Sequence, residues 1–105
     1  MRGYNVKLPD AGPERRAHGS LSRFTMKYVY LIRSLSVPNQ RYVGVTSNLD
    51  DRLRAHNAGA SPHTSKYLPW DLVTFVSFRA DQRALDFERY LKSGSGRAFA
   101  NKHLW

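Results

Sequence analysis

Two short, largely apolar segments stand out along the chain, at 28–32 and 41–45. In the first segment, two tyrosines and an isoleucine fall on one side of an extended strand, while a valine and a leucine fall on the other. The second segment is rich in β-branched and aromatic residues, which favour strands. A Pro-Asn-Gln loop separates the two, so the pattern predicts a β-hairpin with a long turn.

A helical period follows the hairpin, with two leucines and a histidine at i, i+4 and i+7 spacing. Ser47 or Asn48 is expected to cap this helix, because both side chains accept hydrogen bonds from free backbone N–H groups. Two aspartates in the first turn suit the positive end of the helix dipole. Gly59 is suited to ending the helix.

A strand and a second helix are predicted in the second half of the chain. The run WDLVTFVSF at 70–78 is almost continuously apolar, which indicates a central strand covered on both faces. The segment 82–92 has an amphipathic period with an apolar stripe that includes Leu85, and Asp81 is expected to cap it. A Ser-Gly-Ser-Gly reversal then leads into a short final helix at 97–103.

These elements predict an α+β fold in β-β-α-β-α order, with helices packed on the faces of a small antiparallel sheet. A chain of 105 residues forms one domain of this kind. Residues 1–25 show no periodicity, and we expect them to form a disordered basic leader outside a domain at 26–105. Two alternatives stay open: Met26 is the true start and the leader is mis-annotated, or the leader is an arm that grips phosphate.

The excess of positive charge indicates which class of molecule the protein binds. The formal net charge is +9, and from Met26 onward twelve lysines and arginines stand against six aspartates and glutamates, which leaves +6. An excess of this size indicates a polyanion such as nucleic acid, although a basic surface without a partner has the same composition. The chain has no cysteine and no apolar run long enough to cross a bilayer, so we expect a cytoplasmic protein with no membrane contact.

Two helical positions carry candidate chemistry. Arg52 and His56 are four residues apart and lie about 40° apart around one face of the first helix. The alternative is a surface arginine and a core histidine. Glu88 falls in the middle of the apolar stripe of the second helix, where a carboxylate is costly unless a cation, hydrogen-bond donors or a metal pairs with it. The alternative is a buried Glu–Arg pair.

Together these residues resemble the GIY-YIG nuclease family over about residues 27–92. Tyr28-Val29-Tyr30 stands at the family's first triplet, although Tyr28 replaces its first glycine, and Tyr42-Val43-Gly44 stands at the second. Three further positions match the helical arginine, the helical histidine and the metal carboxylate of the family, and these are Arg52, His56 and Glu88.

The resemblance implies a three-stranded antiparallel sheet between helices and a metal-dependent endonuclease acting on DNA, with RNA left open. Tyr30 is then the general base, with neighbouring cations lowering its pKa from the usual value of about 10, and Tyr42 orders or assists the water. Arg52 faces the scissile phosphate, and His56 orients the tyrosine or shuttles the proton. Glu88 binds one divalent cation, Mg²⁺ or Mn²⁺.

Basic residues outside this set are expected to hold the nucleic acid, namely Lys66, Arg54, Lys92 and Arg97. We find no separate recognition helix or zinc module, so specificity is expected to come from substrate shape, as in repair or recombination, or from a protein partner. Asn57 and Asn101 are not counted as catalytic. The alternatives are a module on the same fold that binds nucleic acid without cutting it, and a small structural domain with a coincidental motif.

Overall fold

The computed structural model describes residues 26–105, and the predictions about residues 1–25 lie outside this range. The described chain forms a three-stranded antiparallel sheet with three α-helices, in β-β-α-β-α-α order, which confirms the predicted α+β class. Between residues 26 and 105, no helix has the length and apolar character needed to cross a membrane. The strands and helices are β1 (Lys27–Ser34), β2 (Arg41–Thr46), α1 (Leu49–Asn57), β3 (Trp70–Phe78), α2 (Asp81–Leu91) and α3 (Gly94–His103), with a 3₁₀ turn at Ser65–Tyr67.

The central strand of the sheet is β1, and the strand order is β2-β1-β3. The prediction that 70–78 forms the central strand was therefore wrong. Residues on both faces of β1 are fully buried, whereas Phe75 on β3 is 37% exposed. A continuous apolar run predicts a strand but not its neighbours, because the same residues also suit an edge strand that is covered over only part of its length.

The β1–β2 register decides which side chains of the hairpin meet. Tyr30 pairs with Gly44, and Ile32 pairs with Tyr42. Residues directly opposite each other in an antiparallel pair share a face, and alternate residues of one strand do so as well. The two tyrosines therefore lie on one face of the sheet, as the predicted mechanism requires.

The two faces of the sheet carry separate apolar clusters. On one face, Val29 and Leu31 pack with residues of α2 and α3. On the other, Tyr30 and Ile32 pack with the start of β3 and with leucines of α1. Helices therefore cover both faces, and the face beneath α1 is the one that carries both tyrosines.

The ends of α1 agree with the prediction from the sequence, and the start of α2 does not. Asn48 caps α1, since its side-chain oxygen accepts a hydrogen bond from the Asp51 N–H at 3.0 Å, and Gly59 follows the helix with φ of +78°. Both features were predicted. Asp81 does not cap α2: it is the first helical residue, and Ala80 stands at the cap position without a side-chain hydrogen bond.

The final helix begins earlier than predicted. It starts at Gly94 rather than at residue 97, so the Ser-Gly-Ser-Gly segment belongs largely to the helix and not to a reversal. Ser93 caps it, with its hydroxyl oxygen accepting from the Gly96 N–H at 3.2 Å. The predicted stripe of α2 was also wrong at Leu85, which is exposed.

Gly96 allows α3 to cross the end of α2. A Cβ at this position would overlap the carbonyl oxygen of Tyr90, a main-chain atom that cannot rotate away, whereas a Cβ at Gly94 would meet nothing within 4 Å. We expect Gly96→Ala to lower the free energy of unfolding by roughly 1–3 kcal/mol, and Gly94→Ala to leave it unchanged or raise it. Urea unfolding of the two variants measures this difference, and equal stabilities would contradict the close approach.

Candidate active site

Three buried side chains form a hydrogen-bonded chain beneath α1. The Tyr30 hydroxyl lies 2.8 Å from Nε2 of His56, and Nδ1 of the same ring lies 2.8 Å from Oγ1 of Thr64. Tyr30 is 3% exposed, and the other two are each 1% exposed. The indole N–H of Trp70 donates to the Thr64 carbonyl at 2.9 Å. Because every member has a fixed partner, the histidine ring is locked in place with one nitrogen on the tyrosine.

Gly44 leaves the space in which the Tyr30 ring lies. A Cβ on Gly44 would stand 2.5 Å from Cζ of Tyr30 and closer still to its hydroxyl oxygen. The tyrosine therefore lies across the neighbouring strand and brings its hydroxyl to His56. This contact gives a physical reason for a glycine directly opposite the tyrosine, which the sequence pattern alone did not supply.

Tyr42 completes an aromatic cluster with this pair. Its ring centroid lies 6.2 Å from that of Tyr30 and 5.2 Å from that of His56. Tyr42 is half-buried, unlike the buried Tyr30. The cluster therefore has one tyrosine enclosed in the protein and one at its surface.

Charged residues from two helices act on the Tyr30 hydroxyl. Burial raises the pKa of Tyr30 far above its usual value, and Tyr42 adds to this rise. Arg52 of α1 lowers the same pKa and Glu88 of α2 raises it, both by a smaller amount. The predicted lowering of the Tyr30 pKa was therefore wrong, because desolvation outweighs the nearby arginine. The two charges nevertheless converge on one hydroxyl.

His56 is held in its neutral form. Burial lowers the pKa of His56, and the Arg52 charge lowers it further, so the ring is neutral at pH 7. A neutral imidazole has one donor and one acceptor nitrogen. In the tautomer that donates from Nδ1 to Thr64, Nε2 accepts the Tyr30 proton.

Glu88 forms an ion pair with Lys92, one turn later in α2. Its side chain is 22% exposed, so it lies at the margin of the apolar stripe rather than within the core. The alternative of a buried Glu–Arg pair is therefore wrong. Within residues 26–105, no cluster of three or more histidine, aspartate or glutamate residues is placed to hold a metal ion.

The GIY-YIG catalytic domain model matches residues 26–102. This chain belongs to the GIY-YIG family. The predicted family is thereby confirmed.

Similar proteins include members of this family from distant organisms. The chain is 38% identical over 71 residues to the structure-specific endonuclease subunit SLX1 of Debaryomyces hansenii, which covers 61% of this chain and 20% of the relative. It is 40% identical over 65 residues to the SLX1 homolog of Giardia intestinalis, and this match covers 58% of this chain and 18% of the relative. A UPF0213 protein of Clostridium perfringens is 35% identical over 68 residues, and this match covers 64% of this chain and 71% of the relative. The chain thus spans about a fifth of the length of the two SLX1 relatives.

The remaining predicted ligands of nucleic acid are spread over the surface of the GIY-YIG domain. Arg54 is exposed and pairs with Asp51 at 2.9 Å, and Lys66 is exposed in the 3₁₀ turn. Lys92 holds Glu88, while Arg97 lines a cleft beside β2. Of the four, Lys92 and Arg97 line this cleft together, and Arg54 and Lys66 do not line it.

Two residues of the GIY-YIG domain have roles that sequence reasoning missed. Thr64 lies in a loop without a distinguishing sequence pattern, and it is buried against His56. Asn57 accepts from the backbone N–H of Trp70 at 2.5 Å and donates to its carbonyl at 3.1 Å, so it ties the end of α1 to β3. A polar residue in a loop or at a helix end carries no signal in the sequence that distinguishes a structural bond from an exposed position.

The lowered pKa of His56 predicts how stability depends on pH. When the pKa of a histidine is lower in the folded than in the unfolded state, the unfolded state binds more protons as the pH falls. Stability should therefore be fully present above the unfolded value of about 6.5 and decline as the pH falls below it. Urea unfolding between pH 7 and 5 measures this decline. His56→Gln should flatten it and the exposed His63→Gln should not, and an equal decline in the wild type and both variants would contradict this assignment.

Proposed function

We propose that this GIY-YIG domain is a divalent-metal-dependent endonuclease that hydrolyses DNA phosphodiester bonds and selects its substrate by structure. The observation that carries the proposal is the Tyr30–His56 hydrogen bond, with the charges of Arg52 and Glu88 acting on the same hydroxyl. A base, a cation for the phosphate and a carboxylate for a metal are what hydrolysis of a phosphodiester needs.

The proton path follows from the two pKa shifts. A tyrosine with a raised pKa is not a phenolate at neutral pH, so Tyr30 cannot act as a ready-made anion. Instead, its oxygen takes a proton from the attacking water while its own proton passes to Nε2 of His56. The water oxygen forms the new bond to phosphorus as the bond to the leaving oxygen breaks. The tautomer that takes this proton is the one in which Nδ1 donates to the Thr64 hydroxyl.

Two side chains assist this step from the more open part of the site. Tyr42 lies beside both members of the pair and is half-buried, which suits it to orient the water. Arg52 is exposed, and it has no ion-pair partner within residues 26–105. Its guanidinium is therefore available to the scissile phosphate as a fixed positive charge.

Glu88 fits a single divalent cation. Mg²⁺ retains several waters and binds through one or two carboxylates together with phosphate oxygens, so one glutamate is sufficient. The ion pair with Lys92 must open for this, which would free the ammonium group for a phosphate. Bound Mg²⁺ or Mn²⁺ would supply Lewis-acid stabilisation of charge on the phosphate and the leaving oxygen.

The proposed preference for branched DNA rests on the elements of residues 26–105 and on the names of two relatives. Residues 26–105 contain one small sheet with three helices and no additional recognition element. Two relatives are named as structure-specific endonuclease subunits. We therefore infer recognition of branched DNA, of the kind found in repair or recombination, aided by a protein partner.

A second candidate is a module that binds nucleic acid without cutting it. The observation in its favour is the ion pair between Glu88 and Lys92, which satisfies the carboxylate without a metal. Binding of such a module would weaken with salt and be indifferent to divalent cations.

Cleavage of labelled DNA by the full chain decides between the two. Branched, duplex and single-stranded DNA are incubated with Mg²⁺, with Mn²⁺ and with EDTA. The proposal expects cuts near the branch point that require the metal. Binding without cleavage under every condition would favour the second candidate, and cleavage of all three substrates at equal rates would overturn the structure-selective part of the proposal.

A further inference from the structure

Two arginines face each other at the end of the sheet that lies beneath α3. Arg33 on β1 and Arg41 on β2 are direct cross-strand partners. Like charges placed opposite each other in a sheet are destabilising, so other contacts must hold this pair. Within residues 26–105 neither arginine makes an ion pair, and Asp71, which is opposite Arg33 on β3, does not reach it.

Trp105 and Asn101 hold the arginine pair in place. The guanidinium carbons of Arg33 and Arg41 lie 5.7 Å and 4.5 Å from the centroid of the Trp105 ring. Arg41 also donates from Nη2 to Oδ1 of Asn101 at 3.0 Å. Burial and the adjacent Arg33 lower the pKa of Arg41. The fold thus holds the Arg41 guanidinium in place without an ion-pair partner among residues 26–105.

This guanidinium lines a cleft of about 380 Å³ at the free edge of β2. Arg41, Lys92 and Arg97 contribute three cations to its wall, and no aspartate or glutamate of residues 26–105 lines it. Asn101 and Trp105 contribute polar and aromatic surface. Cations together with an aromatic side chain are typical of grooves that follow a single nucleic-acid strand.

The cleft is continuous with the candidate active site. Tyr42 lines the cleft and also packs against Tyr30 and His56. Lys92 lines it as well and pairs with Glu88. A strand whose phosphate lies between the tyrosines and Glu88 would therefore place its neighbouring phosphates in the cleft. An isolated basic patch elsewhere on the surface would not have this connection.

We propose that the cleft binds the backbone of the single strand that flanks the cut, with Arg41 and Arg97 contacting its phosphates. This inference rests on the proposed nuclease function and adds to it a binding site for one strand. Asn101 and Trp105 act as positioning residues for Arg41. The cleft volume of about 380 Å³ lies at the lower end of the range for ligand-binding sites, roughly 300 to 1,000 Å³.

Binding of a fluorescent single-stranded DNA oligonucleotide tests the proposal without relying on cleavage. Fluorescence anisotropy in EDTA is measured over a range of salt concentrations for the wild type, R41Q/R97Q and R83Q/R89Q. The last variant removes the same charge from exposed positions of α2, outside the cleft. The cleft variant should bind roughly tenfold more weakly, and its salt slope should fall by about 1.4, or 0.7 for each lost phosphate contact. The matched control should change far less.

R97Q alone guards against misfolding of the double variant, because the Arg97 side chain is exposed and makes no ion pair within residues 26–105. This variant should keep the wild-type melting temperature. Its salt slope should fall by about half as much as that of the double variant, or about 0.7. Equal slopes for the cleft and control variants would overturn the inference. If the wild type cuts DNA and the cleft variant binds and cuts equally well, only the cleft proposal fails. If the wild type never cuts but the cleft variant binds weakly, only the nuclease proposal fails.

Discussion

Glu88→Gln is expected to reduce the rate of DNA cleavage by at least about a hundredfold, the scale seen when one electrostatic contributor to a transition state is removed. Glutamine has nearly the same shape but no charge, so it cannot hold a divalent cation against water. The carboxylate lies at the surface and its only ion-pair partner within the described chain is Lys92. The fold should therefore tolerate the substitution, and the loss should be in the rate rather than in stability.

Asp86→Asn is the matched control for this prediction. Asp86 lies on the same helix, is exposed, and pairs with Arg89 at 3.5 Å. Single-turnover cleavage in Mg²⁺ should be unchanged in this variant. Glu88→Gln should bind DNA at least as tightly as the wild type in EDTA, because it removes a negative charge and releases Lys92. A wild-type rate for Glu88→Gln would show that the metal site lies elsewhere.

Tyr30→Phe is expected to reduce the rate by roughly 10²–10⁴-fold, the usual contribution of a positioned acid–base group. The substitution removes one oxygen and leaves Nε2 of His56 without its buried partner, so it should also cost about 1–3 kcal/mol of stability. Tyr28→Phe is the control, since Tyr28 lies on the same face of β1 but has no hydroxyl hydrogen bond within residues 26–105. Rates are compared well below the melting temperature of the less stable variant.

A comparison with Tyr42→Phe separates the roles of the two tyrosines. If the proton passes from Tyr30 to His56, the loss in Tyr30→Phe should exceed that in Tyr42→Phe, and His56→Gln should resemble Tyr30→Phe. A larger loss in Tyr42→Phe would assign the base to the half-buried tyrosine instead. That outcome would fit the raised pKa of Tyr30, so this comparison is the strictest test of the proton path.

Local patterns predicted most of the elements because their causes are local. Alternation in 28–32 placed the two tyrosines of β1 on one face, and the Asn48 side chain capped α1 through a bond only three residues away. The later boundaries were less accurate. The start of α3 was placed three residues too late, since glycines suggested a turn where the structure uses Gly96 to let two helices touch.

The parts of the site that were not predicted depend on residues distant in the chain. Desolvation of Tyr30 arises from packing against α1 and the start of β3, and no count of neighbouring cations in the sequence reveals it. The hydrogen bond from His56 to Thr64 joins a helix to a loop, and nothing in the loop distinguishes this hydroxyl from its neighbours. For the same reason, the position of β3 at an edge could not be seen from its apolar run.

By itself, the sequence determined the strands and helices, the excess of positive charge and the identity of the residues able to do chemistry, because side-chain periodicity and charge are written along the chain. The tertiary structure alone decided which tyrosine is buried, which nitrogen it meets, and which cation holds Glu88. The physical reason is that a pKa and a hydrogen bond depend on distance and desolvation, and these are set by contacts between segments that the chain brings together only on folding.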